Sequence, residues 1–134
     1  MNKVILGLSF LLAGCATDDL LKNDFPSVVE KNAPSNLVGV WTGSTGPYLT
    51  TLIIKENGSG LSCYSWNNNN AIGKIKYDGQ EIRLQDGSRL QIKNIDELNL
   101  IAHAPYYMGA DYTFYKDNEL KNASPYCEKE ISIH

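Results

Sequence analysis

From Leu37 onward a turn signal breaks the chain about every 8 to 12 residues, and between the breaks apolar and polar side chains alternate. Asn57-Gly58, Asp78-Gly79 and Asp86-Gly87 are the clearest breaks, because glycine accepts the positive φ that a tight hairpin needs. Asp96-Glu97 makes a fourth. This period-two pattern constrains the fold more than any other feature: a helix would scatter such residues around its axis, whereas a strand sends them to opposite faces. Strands are expected near 37–43, 48–56, 60–67, 71–78, 80–86, 89–95, 98–103 and 110–116. One face is core: Ile75 and Tyr77, Ile82 and Leu84, Leu90 and Ile92, and Leu98 and Leu100 each oppose polar neighbours. On the second strand Thr50, Leu52 and Ile54 are opposed by Thr51 and Ile53, which predicts cover on both sides. Consecutive short hairpins make an up-and-down meander, and about eight such strands tend to close, since closure removes the exposed edges. The expected fold is all-β, a small antiparallel barrel over 37–134.

Residues 1–36 have a different grammar. Lys3 precedes an apolar run from Val4 to Ala13, half the length of about 20 residues that a spanning helix needs, and Asp18 and Asp19 follow almost at once. The run ends in Leu12-Ala13-Gly14-Cys15, which resembles the lipobox of bacterial lipoproteins. That resemblance implies removal of residues 1–14, acylation of Cys15, and a mature chain held at a bilayer by more than the two lipid signals that stable anchoring requires. Ala16 after the cysteine, by the sorting rule of enteric bacteria, implies the outer membrane. Residues 15–36 are mostly polar, with Pro26 and Pro34, and read as a flexible tether.

The net charge of −3, which becomes more negative once Lys3 is lost, offers no basic footprint for nucleic acid and no polybasic attraction to anionic lipid. Cys63 and Cys127 are the remaining cysteines. In an oxidising envelope an even pair reads as a disulfide; two buried thiols are the alternative.

The first expected strand carries Gly39-x-Trp41, followed by a strand and the Gly58-x-Gly60 turn, and this resembles the pattern of lipocalin-like small envelope barrels. The whole chain resembles a family of small Gram-negative lipoproteins of unassigned activity. Small periplasmic lipoproteins that inhibit lysozyme are similar in size and in a disulfide reaching a C-terminal cysteine, which Cys127 matches. Their Ser-Gly-x-x-Tyr inhibitory loop is missing here.

Nothing in the chain assembles catalysis, a metal site or a cofactor site. The two histidines, His103 and His134, are isolated, and a lone histidine at a strand end reads as a surface residue. Ser44, in Gly43-Ser44-Thr45-Gly46, lacks the spacing of a nucleophile elbow and reads as a turn residue. Recognition has better material in the eight tyrosines. Tyr64 and Trp66 share one face just before Asn67 to Asn70, which read as a loop. Tyr106, Tyr107 and Met108 lie in an apolar insertion longer than a hairpin requires. These five residues are the candidate binding surface, since exposed aromatic and Met side chains bury large area with few rotors. The same loops read also as a lid or plug folded over the barrel end, the blander of the two readings and the commoner one. The expected role is a non-catalytic binding module for a small apolar or amphipathic ligand. The alternatives are a protein-interaction or inhibitor module and a structural envelope component.

Overall fold

The computed structural model describes residues 23–106 and 108–133. Eight antiparallel strands run in sequence order around a closed barrel: β1 (Gly39–Thr45), β2 (Tyr48–Ile54), β3 (Ser59–Trp66), β4 (Asn69–Tyr77), β5 (Glu81–Leu84), β6 (Arg89–Ile95), β7 (Asn99–Ala104) and β8 (Ala110–Lys116). The barrel predicted from alternation and turns is therefore the fold. β8 returns to β1 through Trp41, Thr42 and Gly43, opposite Lys116, Tyr115 and Phe114. Gly43 is required there: a Cβ would lie 2.2 Å from the Thr113 carbonyl oxygen.

Inward-facing side chains fill one end of the barrel completely. Trp41, Leu52, Ile54, Ile75, Ile82, Leu100 and Phe114 form a single buried cluster, sealed from below by Leu37. Alternation assigned most of this core correctly. Leu98 is the exception: it lies exposed in the β6–β7 turn, because the Asp96 carboxylate accepts from the backbone N–H groups of Leu98 and Asn99 and delays the strand. Two further local expectations are corrected. Ser44 lies within β1, whose turn into β2 is Gly46-Pro47, and Asn69 and Asn70 belong to β4, leaving only Asn67 and Asn68 as the turn. Asn67 takes the left-handed conformation there, at φ 54°, which asparagine tolerates better than most residues.

Residues 23–36, expected to form part of a tether, are laid along the barrel as a strap. Phe25 is buried, and the Lys76 ammonium donates to the carbonyls of both Phe25 and Val28. Asp24 pairs with Arg83, and the Lys31 and Ala33 amides donate to Tyr77 and Glu56 at the filled end. Gly58, at φ 89°, lets the strap cross: a Cβ there would sit 2.0 Å from the Lys31 carbonyl oxygen. The residues before Asn23, including Cys15, lie outside the described residues, as do Tyr107 and His134.

A helix that the alternation did not reveal, α1 (Pro125–Ile133), lies against the outer wall. Its start is chemically ordinary: the Ser124 hydroxyl accepts from the Cys127 amide, Pro125 follows, and Glu128 stands in the first turn. Cys127 is bonded to Cys63 of β3, which realises the disulfide reading. Around it Ile131, Ile53 and Ile72 form a second apolar cluster, the cover that Ile53 predicted for the outer face of β2.

Asp117 ties this C-terminal segment to the barrel. Its buried carboxylate accepts from the Thr42 hydroxyl at 2.8 Å and from the amides of Lys121 at 2.8 Å and Asn122 at 3.1 Å. Hydrogen bonds to a charged group contribute about 1.5–3 kcal/mol each, and orphaned buried donors add a penalty, so Asp117→Ala is expected to cost about 3 kcal/mol in urea unfolding. A loss below about 1 kcal/mol would mean that water replaces the carboxylate freely.

Candidate functional site

In an up-and-down barrel the odd-numbered hairpins share one end, here Gly46-Pro47, Asn67-Asn68, the β5–β6 turn and the β7–β8 loop. This end is open. Beneath its rim lies a cup of about 270 Å³, with Tyr48, Tyr64, Tyr106 and Tyr112 on its walls and Leu52, Leu84 and Leu90 toward its floor. The filled core below stops it from becoming a channel, in keeping with the narrow bore of an eight-stranded barrel.

Strand parity explains how the rings meet. Thr50 lies opposite Tyr64, and Tyr48 and Trp66 continue the same inner faces two residues further toward the rim. Tyr48 is thereby packed edge-on between the two: its ring centre is 4.8 Å from that of Tyr64 and 5.9 Å from that of Trp66. Tyr64 and Trp66 do share a face, and Tyr106 joins them from the β7–β8 loop. Burial pushes the Tyr106 phenol above its ordinary pKa although Arg89 beside it pulls the other way, so it stays neutral at physiological pH. Met108 stands outside the cup, 93% exposed on a left-handed backbone at φ 69°. Tyr48 and Tyr112 were not singled out from the sequence. Parity could have found both, since Tyr48 lies two residues from Thr50 and Tyr112 two residues from Phe114.

The wall of the cup is split on one side. β4 pairs with β5 only through Ile75 to Tyr77, so Asn69 to Gly73 have no strand beside them on that flank. The Gln85 side chain and backbone bridge the top of the pairing, accepting from the Lys74 amide and donating to the Lys74 carbonyl. Above that bridge a cleft of about 270 Å³, lined by Ala71, Gly73, Leu84 and Gln85, shares Ser62, Tyr64 and Asp86 with the cup. Ala71 and Gly73, small residues on the inner face of β4, leave this space. Gly39 does not, being closed in by Lys116 and Asn118.

The polar groups at the rim hydrogen-bond within their own turns and strands. Asp86 accepts from the amide and hydroxyl of Ser88, holding its own turn. His103 projects from the outer wall, where its Nδ1 lies 2.6 Å from Asp111, whose other oxygen takes the Lys93 ammonium. That trio is cross-strand surface pairing and does not face the cup. Among the described residues no group of three His, Cys, Asp or Glu side chains could hold a metal ion, and no helix is long and apolar enough to cross a membrane.

A model of the family described as "Bacterial lipocalin LPS transport optimiser YedD" matches residues 22–131. The crystal structure of a lipoprotein YedD from Klebsiella pneumoniae is similar at 19% sequence identity, over 81% of this chain and 92% of that one, with a TM-score of 0.46. No curated protein matches the chain.

Proposed function

The chain belongs to the YedD family of bacterial lipocalins, lipoproteins of the cell envelope, and from that premise we propose that it is a non-catalytic binding module anchored in the outer membrane through acyl chains on Cys15. Its aromatic cup, in this reading, receives one end of an amphipathic envelope molecule, and the family's description points to lipopolysaccharide or a part of it.

The cup is the observation that carries the reading. At about 270 Å³ it falls just below the 300–1,000 Å³ typical of small-molecule pockets, so it suits one sugar ring or one chain end and not a whole glycolipid. Tyrosine faces give an apolar surface, while Arg89 and the phenol groups offer donors at its edge; an amphipathic partner needs both. Among the described residues no histidine lines the cup, and Asp86 is held in its turn by the amide and hydroxyl of Ser88.

The test is a titration of the mature protein with purified lipopolysaccharide, following Trp66 emission and heat. A saturable change is expected, and the Tyr64→Ala, Tyr106→Ala double variant should weaken affinity by about tenfold or more, the scale of losing one aromatic hot spot. Equal affinity in a double variant that melts like the parent would remove the cup from the binding reaction.

A further inference from the structure

We infer that the open end of the barrel faces the bilayer that holds the anchor, so that Trp66, Tyr106 and Met108 lie at the headgroup level and ligand enters the cup from the membrane. This rests on the reading that Cys15 is lipidated.

The first observation is where the chain arrives. Asn23 is fixed to the β5–β6 turn at the open end: its side-chain amide donates to the Gln85 carbonyl at 2.9 Å, and a Cβ on Gly87 would lie 3.1 Å from its Cγ. From there the strap descends to the filled end, where Lys31 and Ala33 bond to the barrel. The anchored side of the chain therefore departs from the open end.

Length then favours one orientation. Eight peptide links separate Cys15 from Asn23; fully stretched they span about 29 Å, and as a flexible coil about 16 Å. A seven-residue strand such as β1 is about 23 Å long. Turning the filled end toward the bilayer would make the link run back along about 17 Å of barrel height, the strands being tilted, before it met the membrane, whereas the open end needs no such return.

The rim chemistry is a second, independent observation. Trp66 is 43% exposed, Tyr106 44% and Met108 93%, grouped around one opening. Trp and Tyr favour the membrane–water boundary because an apolar ring and a polar tip are both satisfied there. Away from the open end, the exposed large apolar side chains among the described residues are Val29, Leu98, Tyr115 on the outer wall and Ile133 on α1, and they form no comparable group around an entrance. The cleft between β4 and β5 opens at the membrane-facing end too, beside Gln85, so an amphipathic molecule could pass from bilayer to cup without crossing water.

The experiment uses the protein extracted with its lipid and reconstituted into phosphatidylethanolamine and phosphatidylglycerol vesicles, with or without bromine on the acyl chains near the glycerol. Flotation and the mass of a triacylated chain starting at Cys15 read the anchor. Contact quenching by bromine reads the orientation. Wild-type emission should fall in brominated vesicles, and Trp66→Phe should lose most of that fall, since the remaining Trp41 is fully buried near the other end. Adding Leu98→Trp to Trp66→Phe should not restore it. Protein that floats but shows no quenching of Trp66, or quenching with Leu98→Trp in place, overturns the orientation alone. Protein that neither floats nor carries acyl chains overturns the anchor, and the orientation falls with it.

Discussion

Cys63→Ser is expected to lower the stability of the domain by about 4 kcal/mol, which for a domain of this size is a fall in melting temperature of roughly 15 °C. The bond closes a loop across a sequence separation of 64, and on the chain-entropy account a loop that long restricts the unfolded chain strongly. Local energetics act in the same direction. Both cysteines are fully buried in the cluster with Ile131, Ile53 and Ile72, so the substitution leaves a hydroxyl and a thiol where a sulfur bridge had no polar demand. α1 has nine residues, too few to hold as an isolated helix, and it depends on this cluster and on the Ser124 cap. Helical circular dichroism should therefore be lost before the barrel melts. A reductant should reproduce the effect in the wild type. Identical melting curves for variant and parent, with and without reductant, would show that the helix is held by packing alone.

The parts of this fold that were legible in the sequence are those in which neighbouring residues carry the information. Ile82 and Leu84 against Glu81 and Arg83 specify a face within four residues, and Asp86-Gly87 specifies the turn that follows. The strap was not legible, because Phe25 stands among polar neighbours and Pro26, and its burial depends on a barrel surface formed later in the chain. α1 escaped for a related reason. Only Cys127 and Ile131 are buried on it, one turn apart, a signal too sparse to show a period beside the Ser124-Pro125 start. The aromatic cup was half legible. Composition drew attention to Tyr64, Trp66 and Tyr106, while the equally important Tyr48 and Tyr112 sit in strands where a tyrosine looks like ordinary wall. Met108, which apolarity placed in the candidate binding surface, stands at the rim and does not line the cup.

Trp41→Ala should be the most damaging single truncation inside the barrel, at about 3–5 kcal/mol in denaturant unfolding. Its ring is fully buried in the core of the filled end, the indole N–H donates to the Leu37 carbonyl at 2.9 Å, and the Lys116 ammonium lies 4.1 Å from the ring centre. Three elements therefore converge on one side chain: β1 that carries it, the strap segment that ends in Leu37, and β8 through Lys116. Trp41→Phe separates the contributions. It keeps an aromatic ring near the cation but removes the donor and part of the volume, and should cost about 1–2 kcal/mol. If the cup is the binding site proposed above, the same variant should leave its ligand affinity unchanged, because the cup is floored by Leu52, Leu84 and Leu90 and does not reach Trp41. Weakened binding by Trp41→Phe at unchanged cup geometry would mean that the two ends of the barrel are coupled. A cost of Trp41→Ala below about 1 kcal/mol would mean that Leu37 and Phe114 close the barrel without it. Sealing this end matters to the functional reading as well as to stability. With Trp41, Leu37 and Phe114 filling the bore, the cup and its side cleft are left as the way in, and both open at the end where Asn23 is bonded to the β5–β6 turn.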